Sequence, residues 1–587
     1  MRRISLRIRL FACLVAISLA PSLDTAAQSG DPSSPEADII LHNGFVWTVD
    51  KKNSSAEAVA IRGERIMAVG TSEQVLKLAG PRTRKIDLAG RMVVPGFNDN
   101  HVHFASAAQF LEFNIMNVST QEQFARRVKE VTARLPRGEW ITGGYWGAYD
   151  EWDAGSAGNR RREPFTPDMR LIEVAARDYP IFIRKFDDSE FAANHAALKG
   201  AGLDPLNPFI EGVEFLKDKE GRPTGIFRGR EAARVFARAI PRFSHERRVL
   251  QTKNALSEIR KYGVTNISDM SDDAQLEIYR ELHRTGELTV RVHFRPGLDR
   301  WKEMAGRNVK VGSGDEWIRL GALKGHIDGI MGTSSARFFE PYSNDQKNRG
   351  RWRPLMVDEK GEFVEGKFLK YMLDADAAGL QLTVHAIGDE ANSLLLDYLE
   401  ELERQNGKRD RRFRLVHAQV LAAKDFARLG RLGVVAELQP FHLSDDMRWM
   451  EERIGRKRCE GAYAFKSIQR GGAVLSFGTD WPGTSASEYP INPMLGLYAA
   501  VTRQTLKGQP REGWFPGERI SIEDAIRAYT YNTAYANFEE NTKGSIEAGK
   551  LADLAVLSKN LLRVSPAGYL TTEVVYTIVG GKIVHQK

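Results

Sequence analysis

Two histidines one residue apart close the stretch Pro95-Gly96-Phe97-Asn98-Asp99-Asn100-His101-Val102-His103. Side chains at i and i+2 of a strand point to the same face, so His101 and His103 can reach one cation if the strand opens into a cavity. Alone the pair is weak evidence, because a His-x-His spacing also arises among packing and surface histidines. Further candidates recur at the ends of later strand-like runs. Gln381-Leu382-Thr383-Val384-His385 and Phe413-Arg414-Leu415-Val416-His417 are short apolar or β-branched stretches, each ending in one histidine. Ala473-Val474-Leu475-Ser476-Phe477-Gly478-Thr479-Asp480 ends the same way in a carboxylate, and the run from Trp317 to Lys324 puts a lysine where a ligand is expected. Several imidazoles with oxygen donors suit zinc or a similar transition metal. Such a metal lowers the pKa of bound water and polarises a carbonyl, which is hydrolytic chemistry.

These residues need strands that end on one side of a common sheet. Strand-like runs fall near Val93 to Phe97, Val264 to Ser268, Val290 to Phe294, Leu320 to Lys324, Leu382 to His385, Leu415 to His417, Val434 to Leu438 and Val474 to Gly478. Helical patterns separate most of them, including Asn392 to Arg404 and Ser521 to Tyr535, the latter opened by Ser521 and Asp524 as a capping pair. The expected fold is therefore α/β, a (β/α)8 barrel over residues 91–540. About 160 residues separate the first two strands, too many for a loop, so an insertion of about 114–250 is expected, with a helix from Gln121 to Leu135 and a strand from Ile181 to Lys185. Short strands at residues 37–90 and 541–587 have a common character, and both ends of the chain are expected to build one flanking β-sandwich.

Composition narrows the function classes. With 42% hydrophobic and 27% charged residues the chain can bury a large core, which excludes a disordered protein. Arg2, Arg3, Arg7 and Arg9 precede an apolar run from Leu10 to Ala20 and the small residues Thr25-Ala26-Ala27, the pattern of a secretory signal peptide over 1–27. The expectation is a secreted or periplasmic protein with a flexible Ser/Pro-rich leader at 28–36. No stable membrane anchor should survive signal cleavage, because the apolar run is short for a bilayer span. Cleavage removes four arginines and Asp24 and lowers the formal charge from +8 to +5. That mild charge, with no nucleic-acid motif, argues against a nucleic-acid partner. Only Cys459 remains after cleavage, so no internal disulfide can form, and a structural thiol is expected.

The ordered set His, His, Lys, His, His, Asp resembles the amidohydrolase superfamily. Val384-His385-Ala386-Ile387-Gly388-Asp389, His417-Ala418-Gln419, Phe477-Gly478-Thr479-Asp480-Trp481-Pro482 and Lys324-Gly325-His326-Ile327-Asp328-Gly329 are similar to its branch of YtcJ-like hydrolases and N-substituted formamide deformylases, amidohydrolase family 3 in type. The resemblance covers nearly all of the chain after the first forty residues. It implies one or two divalent metals, with zinc expected: His101, His103 and Asp480 on the first, His385 and His417 on the second, and Lys324 bridging them after carboxylation by carbon dioxide. It also implies that Asp480 is catalytic, taking a proton from water and giving it to a leaving nitrogen, and that an amide-type small molecule is the substrate. His326 stands in reserve as a ligand and His442 as a pocket residue. Trp146, Tyr149 and Trp152 lie in a segment similar to one near the family's pocket and could contact substrate or equally pack within the insertion; Gln419, Trp481 and Asp389 could shape the pocket or equally support it structurally from outside. Asp187-Asp188-Ser189 departs from the branch's usual Asp-Gly-His, so the relatives' specificity does not transfer. A deaminase or cyclic amidase remains open on the same barrel, as does a non-catalytic binding protein, and so does a homodimer beside a monomer.

Overall fold

The computed structural model describes residues 36–147, 165–186, 188–484 and 487–587. Short apolar and β-branched runs form its central strands. Phe97–Val102 (β1), Val264–Asp269 (β2) and Arg291–Phe294 (β3) pair in parallel, and β3 pairs onward with Ile318–Leu320. Ala322–His326 (β4), Gln381–Ala386 (β5), Arg414–His417 (β6), Val435–Leu438 (β7) and Val474–Phe477 (β8) form a second parallel set. The two sets meet through parallel bridges at both seams, Gly297 with Lys324 and Val102 with Trp481. Strands buried on both faces read as continuous apolar runs, as in β5 and β6, where every residue is buried. Helix Asp389–Asn406 follows β5 and buries Leu395, Leu396, Leu399 and Leu402 at helical spacing. The result is a TIM-barrel-like α/β architecture.

Two glycines set how the strands connect. Gly321 (φ 106°) splits the fourth strand, so that Ile318–Leu320 pairs with β3 while β4 pairs with β5; a Cβ there would stand 2.1 Å from the Lys310 carbonyl oxygen. Gly96 separates two strands that the sequence presents as one. Met92–Pro95 runs antiparallel to Leu554–Leu557, whereas β1 starts at Phe97 and pairs with β2. The expected first strand, Val93 to Phe97, is corrected accordingly, and the terminal sheet reaches Pro95 rather than residue 90. A Cβ at Gly96 would meet Thr265 Oγ1 at 2.2 Å, so only glycine lets the chain pass this close to β2.

Both ends of the chain contribute to one six-stranded sheet: Phe45–Trp47, Ser55–Ala56 and Met92–Pro95 join Leu554–Leu557, Val574–Val579 and Lys582–Gln586. A four-stranded sheet built from Ala37–His42, Ala58–Arg62, Arg65–Gly70 and Ala79–Asp87 shares an apolar cluster with it, including Leu41, Val59, Ile61, Val556 and Ile578. Each such side chain contributes about 1.5–3 kcal/mol on full burial. Between β1 and β2 lie helix Gln121–Thr132, capped by Thr120, and a five-stranded sheet that includes Phe182–Lys185. Cys459 is buried, and burial pushes its thiol up to about 12, which makes it unreactive. Among the described residues no helix is long and apolar enough to cross a membrane, and residues 1–27 lie outside them.

Candidate metal centre

The carboxyl ends of β1, β5, β6 and β8 open on one cavity of about 220 Å³ that His103, His385, His417 and Asp480 line together. His101 sits in β1, His103 begins helix Phe104–Glu112, and Asp480 follows β8. The loop carrying Asp480 is stitched to β1 by backbone hydrogen bonds: Asp480 N donates to His101 O at 2.8 Å and His103 N donates to Trp481 O at 2.8 Å. Asp99 completes the clamp by accepting from Thr479 Oγ1 at 2.6 Å, Thr479 N at 3.0 Å and His101 N at 3.1 Å. Asp480 has a left-handed backbone (φ 62°), as has His417 (φ 74°). Such conformations cost on the order of 1–3 kcal/mol and persist where the surroundings over-determine them.

Asp480 Oδ1 lies 3.3 Å from both His101 Nε2 and His103 Nε2. Ligand atoms of these three residues all fall within 4.8 Å of one another. Asp480 Oδ1 and His101 Nδ1 are buried with no hydrogen-bond partner among the described residues. A buried, unsatisfied carboxylate oxygen facing two imidazoles is costly unless a cation completes it, so the donor set fits a divalent metal. Burial, then the charges of Lys324 and His417, pushes the His101 imidazole well below its ordinary value, which keeps it in the neutral form that binds metal. Burial alone would raise the Asp480 carboxyl, but His103, with His442 and Lys324, outweighs it and keeps the carboxylate below its usual range.

His385 and His417 are held differently, by their second nitrogens. His417 Nδ1 lies 2.7 Å from Gln439 Oε1, an acceptor, so Nδ1 carries the proton and Nε2 keeps its lone pair. His385 Nε2 lies 3.0 Å from Gly329 O and 3.4 Å from Asp328 Oδ1, so the proton is on Nε2 and the lone pair on Nδ1. Asp328 is itself fixed by donors from Ile387 N, Gly388 N and Arg337 N. The two rings stand 4.6 Å apart, with His101 5.0 Å from His417. Lys324 Nζ lies 3.5 Å from His101 Nε2, and burial brings its ammonium down to about 7. Glu437 lies between Arg295 and Arg414, all fully buried; the Arg295 Nη1 to Glu437 Oε2 distance is 2.9 Å.

All six expected ligands therefore surround one region. His326 lies beside His385, with ring centroids 5.3 Å apart, and lines the cavity. His442 lines it too, stacked on Tyr489 at 3.9 Å and 4.0 Å from Asp480 Oδ2. Gln419 reaches the cavity wall, where it donates to Asp446 beside Tyr463. Three aromatic and acidic expectations are corrected. Trp146 is fully buried in the apolar core of the insertion, next to Phe113, Ile141 and Ile183, rather than in the cavity. Trp481 packs edge-on against Phe104 and anchors the Asp480 loop from behind. Asp389 accepts from Phe339 N at 2.9 Å at the start of its helix, outside the cavity. Tyr149 and Trp152 lie outside the described residues. Sequence reasoning missed Asp99, Asp328, Arg353, Gln439, Asp446, Trp449 and Tyr489. Of these, Asp99 and Asp328 stand inside the very stretches that held the ligands, which was a usable signal.

Comparison with known proteins follows the geometry. The amidohydrolase family matches residues 84–585. The chain is 32% identical to protein LONG AFTER FAR-RED 3 of Arabidopsis thaliana, over 97% of this chain and 96% of that one. It is 27% identical to the putative amidohydrolase YtcJ of Bacillus subtilis (93% and 99% covered) and 26% identical to the N-substituted formamide deformylase of Arthrobacter pascens (94% and 98%). A crystal structure of an uncharacterized metal-dependent hydrolase from Pyrococcus furiosus superposes with a TM-score of 0.69 at 25% identity, covering 90% of this chain and 99% of that one. With the family matched over most of its length and a candidate His-His-Asp metal site at the strand ends, the chain belongs to the amidohydrolase family.

Proposed function

We propose that the protein is a zinc-dependent hydrolase that cleaves the carbon–nitrogen bond of an amide-type small molecule, an N-formyl or N-acyl amine. The observation that carries this reading is the convergence of His101, His103 and an unsatisfied Asp480 Oδ1 at the base of a cavity. The formamide-cleaving relative and the metal-dependent neighbour support it. A divalent cation held there would supply Lewis acidity, acidifying water toward neutrality and polarising a carbonyl. His101, His103 and Asp480 Oδ1 would hold a first ion, and His385 Nδ1 with His417 Nε2 a second. Lys324 would bridge as a carbamate: its neutral amine adds to carbon dioxide and releases one proton to solvent, leaving two anionic oxygens. A buried amine brought down to about 7 has the neutral form available for that addition. Asp480 Oδ2, on the His442 side, would take the proton of the attacking water and return it to the leaving nitrogen.

On the same reading the strands close as a full (β/α)8 barrel, and the two terminal sheets are the layers of one sandwich. The arginine-led apolar segment before residue 28 would direct the protein out of the cytoplasm. The test is a screen of the zinc-loaded protein against formamides, N-acyl amines, N-acyl amino acids, cyclic amides and aminated heterocycles, following amine and ammonia separately. Amine release is expected. Ammonia from an aminated ring would make it a deaminase, and no release from any class would overturn the hydrolase reading.

A further inference from the structure

Arg353 lines the same cavity as the metal-site histidines. It lies on the long connection after β4, half-buried, and its placement is fixed at two points: its backbone N donates to Ile327 O at 2.9 Å and its Nε to Asp328 O at 3.0 Å. Among the described residues Nη1 and Nη2 have no hydrogen-bond partner. Among the described residues no carboxylate lies within ion-pair reach of this guanidinium, whereas its neighbours Arg337 and Arg349 both engage Glu390. The nearest acid, Asp328, spends its oxygens on Ile387 N, Gly388 N, Arg337 N and His385. Of the cavity's own acids, Asp480 faces His101 and His103, and Asp446 accepts from Tyr463 at 2.5 Å and from Gln419. An arginine partly withdrawn from water without a counter-charge is costly unless a ligand brings one. With Nε used, the remaining Nη1/Nη2 edge presents two parallel donors that match the two oxygens of a carboxylate.

Resting on the C–N hydrolase reading, we infer that Arg353 is a specificity-determining residue, and that the substrate is an N-acyl amino acid whose carboxylate docks on its Nη1/Nη2 edge while the acyl carbonyl reaches the metal centre. Arg353 and His326 line the same cavity, and His326 adjoins His385. The carboxylate thus sits on the His326–His385 side of the cavity. Ile330, Met331, Ile387 and Trp449 form an apolar wall beside it, suited to an aliphatic or aromatic amino-acid side chain.

The experiment measures kcat/KM and calorimetric binding on zinc-loaded protein for N-formyl and N-acetyl leucine and phenylalanine, both enantiomers. Each is set beside its carboxamide and its phosphonate analogue. The native protein should prefer the carboxylates over the carboxamides by about 10- to 100-fold, the range for hydrogen bonds to a charged group. In Arg353→Gln that ratio should fall to near one, and Arg353→Lys should recover part of it, since charge remains but the fork is lost. Arg353→Lys also keeps the test alive if Arg353→Gln does not fold. A ratio near one in the native protein, or one unchanged in both variants, overturns the inference; a preference for phosphonates over carboxylates overturns the carboxylate assignment. Amine release in the broader screen with hydrolysis of none of these compounds overturns the N-acyl amino acid assignment and leaves the hydrolase reading standing; release from no class at all defeats the hydrolase reading, and the binding ratios still decide Arg353.

Discussion

The two halves of the proposed metal centre are built by opposite means. In the first half, His101, His103 and Asp480 are brought together by backbone bonds between β1 and the loop after β8, and the donors face each other with atoms left unsatisfied. In the second half, His385 and His417 are oriented from outside, each by an acceptor on the nitrogen that faces away from the site. The first half therefore needs a cation to be complete, while the second half has its tautomers set before any cation arrives. Outer acceptors of this sort fix ring orientation and raise ligand basicity, so the two halves should fail differently when disturbed.

The largest effect is expected at the first half. Asp480→Asn should lower the hydrolysis rate by about 10³-fold or more, since it removes the proton carrier, while most of the bound metal stays. Initial rates measured together with metal content check this, and near-normal turnover would remove Asp480 from the chemistry. Stripping the metal with a chelator should come next. At a zinc concentration about 1,000 times the dissociation constant, binding contributes about 4 kcal/mol, so the metal-free protein should melt clearly lower and recover on zinc addition. Equal melting temperatures with and without zinc would mean that the unsatisfied Asp480 Oδ1 does not wait for a cation.

A third expectation concerns His442, which stands between the halves. Burial takes its imidazole down to about 4, against about 6.5 in an unfolded chain. Because the folded value is the lower one, the neutral ring's contribution is full above pH 6.5 and is lost as pH falls toward 4. Metal-free native protein should lose up to about 3 kcal/mol over that interval that His442→Gln does not lose. Urea unfolding of both proteins at pH 7, 5.5 and 4.5 measures the difference, and parallel profiles would contradict it. The smallest effect separates the halves most cleanly. Gln439→Leu removes the acceptor of His417 Nδ1 and should weaken one metal equivalent by about 10–100-fold in chelator competition, leaving the His101–His103–Asp480 equivalent unchanged. Equal weakening of both equivalents would show that the halves are not independent.

The candidate ligands were legible in the sequence because they obey a local rule: a short apolar run, then one polar side chain of metal-binding type. His385, His417 and Asp480 all follow it, and the structure gathers them at one mouth. What orients them was not legible. Gln439 and Asp328 matter because parallel pairing sets β7 beside β6 and brings the connection after β4 over β5, a relation between segments far apart in the chain. Trp146 and Trp481 stayed open between core and pocket because an indole serves both equally well, and residue type alone does not choose. The boundary at Gly96 was hidden for a similar reason: an apolar run continues unbroken through a point where the backbone changes sheets. Arg353 left no trace at all, since one more arginine in an arginine-rich loop looks like solvent-facing charge.

The central claim is that six side chains at the strand ends form a metal centre. It is tested most directly by equilibrating the purified protein with zinc and bicarbonate, desalting it, and counting metal by inductively coupled plasma mass spectrometry beside Lys324→Met and a His101→Ala/His103→Ala double variant. The native protein is expected to retain zinc, Lys324→Met less, and the double variant least. A native protein that retains no more zinc than the double variant would contradict the account.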